Sequence, residues 1–249
     1  MRGKTWGYIW SAVLAVMLVL LLRLAWHVAV SHVLVPDWNA LSWSKFVWEP
    51  ARGVSNLNLL RNFNLGIYWW FAVGVLIYPM ARLLLVKWGL VQKRWFTEEE
   101  THAHEQSHRL VGKLMGRRIH SIHSEENTGM VMSSGKEWTR PFMTLAPYTI
   151  PYMTLALLAF RAITAPQNAW LFDVVTGVTF GFHLVCFATQ TRKYQPDINR
   201  FATLWFPALY IAVWAVFNFV LMAVTFWASK NFFKALWWIA TSLFSPTLC

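Results

Sequence analysis

The residue types that could do chemistry are concentrated in one stretch, His104-Glu105-Gln106-Ser107-His108. Two histidines four positions apart on a helix lie one above the other, so both imidazoles can bind the same ion. Zinc accepts histidine nitrogen, and a catalytic zinc commonly keeps three protein ligands and one open position. A glutamate beside the first histidine can take a proton from water that the metal has activated, the chemistry of amide hydrolysis. The spacing names His104 and His108 as candidate zinc ligands and Glu105 as the candidate base. The plain alternative is a solvated surface helix that carries His102, His104 and His108 among glutamates and binds nothing.

The flanking sequence supplies the elements that must hold these groups. Thr97-Glu98-Glu99-Glu100 reads as a capping box at a helix start, with acidic residues suited to the positive end of the helix dipole. Gly116 reads as the stop, so the helix is expected to reach about Met115. Beyond it, residues 117–134 alternate around a polar turn at 124–129, the pattern of a β-hairpin. His120 and His123 fall on that hairpin and read as surface residues. The best candidate for a third ligand is Asp197 in Gln195-Pro196-Asp197-Ile198. An ordinary helix cap is the competing role for Asp197. Asp173 and His183 lie inside an apolar run, where an ionisable side chain is a functional candidate by default. Asp173 suits the outer membrane boundary. His183 either assists the site, by steadying a ligand or a transition state, or hydrogen-bonds a neighbouring helix.

Composition decides what surrounds this helix. Of 249 residues, 57% are hydrophobic and 13% are charged, whereas a soluble domain carries about 25% charged residues. The 17 tryptophans suit the boundary between lipid and water. The net charge of +11 does not indicate nucleic acid, because the basic residues lie between apolar runs rather than in one stripe. Cys186 and Cys249 are the only cysteines, so neither a disulfide framework nor a cysteine zinc site is expected.

A membrane span needs about 20 apolar residues. Runs at 8–35, 65–90, 142–163, 169–189 and 201–228 qualify, and 232–244 is short enough to lie in the interface. The expected fold class is an all-α multi-pass membrane protein of about five transmembrane helices, with room for a sixth. A small polar helix and a β-hairpin form its insert. Residues 1–90 make an N-terminal two-span region. Residues 91–228 form the core, including the polar insert 91–141, and residues 229–249 form an interfacial helix and tail. Arg2 and Lys4, the basic residues of 91–140, and Arg192, Lys193 and Arg200 then share one side. The positive-inside rule makes that side cytoplasmic, with the N-terminus. Lys45, Arg52 and Arg61 in 36–64 reduce the contrast.

In order and spacing, residues 97–220 resemble the site-2-protease family of intramembrane zinc metallopeptidases, in its compact bacterial branch. The features that carry the resemblance are His104–His108, the hairpin, Leu145-Ala146-Pro147 with Pro151, and Gln195-Pro196-Asp197. Ser107 and Ile198 stand where that family commonly has glycine. The resemblance implies zinc held by His104, His108 and Asp197, with Glu105 as base. It also implies a bacterial inner-membrane location with the site facing the cytoplasm. The substrate would be a single-span or membrane-associated polypeptide, reached through the bilayer or with partner helices. Two other readings remain: a catalytically inactive scaffold or assembly subunit of a membrane complex, and a metal transporter using the cluster His102–His123.

Overall fold

The computed structural model describes residues 2–29, 65–125, 128–161, 163, 169–191, 195–201, 205–227 and 231–243. The far end of the first expected span, Lys45, Arg52, Arg61, Arg192, Lys193 and Cys249 lie outside the described residues.

Long apolar runs with few charges become helices because only a helix satisfies its own backbone without water. Among the described residues four helices contain such runs: α1 (Arg2–Val28), α2 (Leu65–Lys87), α6 (Ala169–Gln190) and α8 (Trp205–Trp227). Each is long and apolar enough to cross a membrane. Their outward faces stay apolar, as Val19, Leu76 and Leu83 show, each more than three-fifths exposed. That is a surface suited to lipid rather than to water. The remaining elements are α3 (Lys93–Leu114), β1 (Arg118–Ser124), β2 (Gly129–Ser134), α4 (Arg140–Leu145), α5 (Tyr152–Arg161), α7 (Pro196–Asn199) and α9 (Phe232–Ser242).

Helix α1 packs on α8, and α2 packs on α6. The second pair is unusually close. A Cβ on Gly177 would lie 2.2 Å from the Phe71 carbonyl oxygen, and one on Gly74 would lie 2.1 Å from that of Val174. Glycines here let two backbones touch, which is how helices associate where the hydrophobic effect offers no driving force. Helix α9 caps the other pair. Ala235 and Ile239 from α9 pack with Val220, Leu221 and Val224 of α8 and with Leu24 and Val28 of α1.

The run 142–163, expected as one continuous span, is instead broken. Glu137–Tyr148 and Tyr152–Arg161 meet at 80°. Pro151 lacks an N–H and disfavours helical backbone at Ile150 before it. A break among apolar helices frees backbone groups that need partners. The Asn218 side-chain amide, on α8, donates to the Thr149 carbonyl at 2.7 Å, and the Thr149 hydroxyl donates to the Leu145 carbonyl at 2.8 Å. The far end of α5 is tied to α6 by a two-pronged ion pair. Arg161 donates through Nε to Asp173 Oδ1 and through Nη2 to Oδ2, the latter at 2.8 Å. Asp173 is therefore a buried ion-pair partner.

Helix α3 also departs from expectation at its start. It begins at Lys93, a turn before the expected cap, with Gln92 as N-cap. The Thr97 hydroxyl donates to the Lys93 carbonyl at 3.1 Å, and Glu100 is occupied elsewhere. The extra turn brings Phe96 into the structure, where its ring meets Tyr78 edge-on. The expected stop holds: Gly116 takes a left-handed φ of 71°. The hairpin forms where the alternation places it, with β1 antiparallel to β2. Arg117, counted above with the basic residues that set orientation, is buried. It donates to the Lys136 carbonyl at 2.8 Å and to the Thr139 hydroxyl at 3.0 Å, fastening the hairpin to the turn at Glu137–Thr139.

Replacing Gly177 by leucine should force α2 and α6 apart. The expected loss exceeds the roughly 1–3 kcal/mol typical of overpacking, because backbone rather than side chain is in the way. Thermal unfolding in detergent reads it directly, and a variant as stable as the wild type would contradict the close approach.

Candidate metal centre

Helix α3 is polar by composition, yet much of that polarity faces inward. Glu100, Thr101, His104, Glu105, Ser107 and His108 are all buried. Ser107 spends its hydroxyl on its own helix, donating to the Ala103 carbonyl at 3.0 Å. The helix is held by Glu100, one turn before His104. Its carboxylate accepts from Arg82 Nε at 2.7 Å and from the Tyr78 hydroxyl at 3.1 Å, both on α2. Thr189 Oγ1 of α6 lies 3.4 Å from its other oxygen. A buried carboxylate is stable only when partnered in this way. The network locks the rotation of α3 and with it the direction of His104 and His108.

The two imidazoles converge. Their ring centroids are 4.8 Å apart, and ligand atoms of His104, Glu105 and His108 all lie within 4.8 Å of one another. Asp197, on the short helix α7, reaches the same point. Its Oδ2 lies 3.1 Å from His108 Nε2 and 3.4 Å from His104 Nε2. A tetrahedral zinc bonded to nitrogen and oxygen would hold such atoms about 3.3 Å apart. The donor set His, His, Asp is one that zinc accepts, so these residues fit the ion.

Proton bookkeeping supports a cation at this point. His108 Nδ1 lies 2.8 Å from the Met143 carbonyl oxygen, which can only accept, so Nδ1 carries the hydrogen. In the neutral ring Nε2 is then a bare lone pair facing the Asp197 carboxylate. Two acceptors at 3.1 Å repel unless a proton or a metal lies between them. The same carbonyl contact is the outer hydrogen bond that metal-binding histidines usually make.

The ionisation shifts agree. Burial lowers the pKa of His108, but Asp197, Glu105 and the Met143 carbonyl outweigh it, and the net shift is upward. For His104 burial wins and the pKa falls, despite the Asp197 contact. Burial pushes Asp197 up, yet its hydrogen bonds to His104 and His108 hold it well below the usual carboxylate range. Burial raises Glu105 to about 7, with His108 opposing and Asp197 adding. A carboxylate poised there can both take and return a proton near neutral pH.

Glu105 is enclosed by the hairpin. A Cβ on Gly129, the first residue of β2, would lie 2.1 Å from Glu105 Oε1. Only glycine lets the strand approach so closely. His104 also lines a small cleft of about 20 Å³ between α3, the broken segment and α6, together with Pro147, Pro151, His183 and Gln190. His183 therefore shares the cleft with His104. His120 and His123 are exposed on the hairpin, beside Ser134 and Glu125. His102 is exposed and paired with Ser124 and Gln106. None of the three approaches the centre.

Sequence reasoning missed Arg82, Gly129, Tyr148 and Asn218. Arg82 and Asn218 had a signal, being polar residues inside apolar runs. Gly129 and Tyr148 had none, since their roles depend on partners distant in sequence. No protein-family model, curated protein or solved structure matches the chain.

Exchanging Arg82 for methionine leaves the buried Glu100 carboxylate without its cation, with only the Tyr78 and Thr189 hydroxyls beside it. The expected cost is about 3–5 kcal/mol of stability, with metal affinity reduced because α3 is free to turn. Adding Glu100→Gln to that variant should restore part of the stability, since the orphaned charge is then gone. No recovery in the double variant would mean that the ion pair does not carry the effect.

Proposed function

We propose that this chain is a membrane-embedded zinc metallopeptidase of the site-2-protease kind, cleaving a single-span or membrane-associated polypeptide. The observation that carries the reading is the meeting of His104, His108 and Asp197 around one point, from helices some ninety residues apart in sequence, with Glu105 beside it. In this reading His104, His108 and Asp197 hold the ion. A bound zinc supplies a Lewis acid that makes water a nucleophile near neutral pH.

The chain's own groups do the rest. Glu105 takes the proton of the attacking water and passes it to the leaving amine. Its burial under Gly129 keeps it weakly acidic enough to do both. The cleft bounded by Pro147, Pro151 and His183 is where the substrate backbone would reach His104, and it is too narrow for a folded soluble protein. The bilayer is then the solvent of the four long apolar helices. The bent segment counts as a fifth crossing, with the N-terminus and the site on the cytoplasmic side of a bacterial inner membrane.

Elemental analysis of purified protein tests the ligand set. About one zinc per chain is expected, lost in His108→Ala and in Asp197→Ala. Glu105→Gln should retain the metal while cleavage of a panel of labelled single-span peptides falls by about 10²–10⁴. A well-folded wild type without metal would sink the reading and leave a scaffold or assembly role in front.

Protons should compete with the metal. Because the pKa of His108 is raised, affinity is expected to fall as pH drops through its protonation range, which equilibrium dialysis measures. Activity should show an acid limb at or below about pH 7, where Glu105 gains its proton, since a bound cation can only lower that value. A rate independent of pH across this limb would remove Glu105 from the role of base.

A further inference from the structure

Tyr148 ends the short turn Ala146–Tyr148, immediately before the break in the helix. Its side chain is 4% exposed. The ring stands edge-on to His104, with centroids 5.3 Å apart. Its hydroxyl is buried and has no hydrogen-bond partner among the described residues. A buried phenol almost always finds a partner, because an unmade hydrogen bond costs about 1–3 kcal/mol.

The surroundings of the hydroxyl say what the partner is not. The carboxylates of Asp197 and Glu105 both bear on the phenol, and the Gln195 side chain sits beside it without meeting hydrogen-bond geometry. Asp197 Oδ2 is already directed at the two histidines. The phenolic proton is therefore unspent, in a buried position at the edge of the metal ligands. The turn holds it there: Leu145 and Tyr210 pack with the ring, and the Thr149 hydroxyl and Asn218 amide secure the backbone just beyond it.

Building on the peptidase reading, we propose that Tyr148 is a further catalytic residue, whose hydroxyl donates a hydrogen bond to the substrate carbonyl oxygen as that oxygen gains negative charge. When water adds to the carbonyl carbon, a C–O bond forms and the C=O π pair moves onto the carbonyl oxygen. The proton of the water goes to Glu105. Tyr148 keeps its own proton and stabilises the oxyanion by donation. When the C–N bond breaks, the pair returns to re-form C=O and Glu105 delivers its proton to the amine. A donor that is pre-positioned and otherwise unpartnered contributes most where charge develops, and losing one costs about 10²–10³ in kcat.

The test is Tyr148→Phe, which keeps the ring against His104 and removes only the hydroxyl. Wild type and variant are loaded with cobalt, whose visible spectrum reports ligand binding. Each is titrated with an N-phosphoryl leucyl-tryptophan dipeptide, a tetrahedral oxyanion, and with imidazole, a ligand that binds metal without an oxyanion. The expected result is metal content and imidazole affinity unchanged, and affinity for the phosphoryl dipeptide lowered by at least about tenfold, the low end for a hydrogen bond to a charged group. Equal affinity for the phosphoryl dipeptide in both proteins would overturn the assignment. So would parallel loss of imidazole binding or of metal, which would mark Tyr148 as structural support for His104. A wild type that binds metal but not the phosphoryl dipeptide removes the tyrosine's role and leaves the metal site standing. A wild type that takes up no metal removes both.

Discussion

His104 Nε2 and His108 Nε2 both lie within 3.4 Å of Asp197 Oδ2, and that convergence governs the rest of the structure. A carboxylate and two imidazoles gathered away from water need a positive charge between them and fixed partners around them. Each surrounding element answers one of those needs. Met143 sets the tautomer of His108. Glu100, anchored by Arg82 and Tyr78, sets the rotation of α3. The hairpin closes over Glu105 at Gly129.

The apolar surroundings turn each polar residue into a structural commitment. A helix can break at Pro151 only because Asn218 supplies the bond that the Thr149 carbonyl would otherwise lack. Two charges can sit at the junction of α5 and α6 only because Arg161 and Asp173 face each other through both prongs. Such pairs add little net stability compared with apolar packing, but they punish any other arrangement severely. They therefore define one register for the helices, and that register places the cleft beside His104. Where the helices meet without polar contacts, as in α2 and α6, glycines achieve the same definition through close backbone contact.

The polar helix α3 illustrates how the same sequence feature can carry two meanings. Its charged residues suggest a solvated surface element with an acidic cap. In the fold Glu99 stays exposed and Glu98 keeps an ordinary surface role, accepting from Arg94 at 2.8 Å one turn away. Glu100 is drawn inward to Arg82, a part-buried cation of α2 that donates to it through Nε at 2.7 Å. Hydrogen bonding to a distant cation outweighs a local capping bond, since a buried charge gains far more from a partner than an exposed one does.

Local spacing determined much of this protein by itself. Four of the apolar runs make long helices while the one that holds Pro147 and Pro151 breaks, alternation around 124–129 makes a hairpin, and Gly116 ends a helix because it tolerates positive φ. The four-residue spacing of His104 and His108 places them on one helix face by geometry alone, and their pairing with Asp197 could be anticipated by chemical type. The tertiary structure decided everything that requires a partner far along the chain. It brought Asp197 to the histidines, gave Glu100 to Arg82, laid Gly129 against Glu105 and left the Tyr148 hydroxyl bare beside His104. The physical reason is range. Helix and strand periodicities encode neighbours within a few residues, whereas which buried polar group meets which across ninety residues depends on how all the helices pack together.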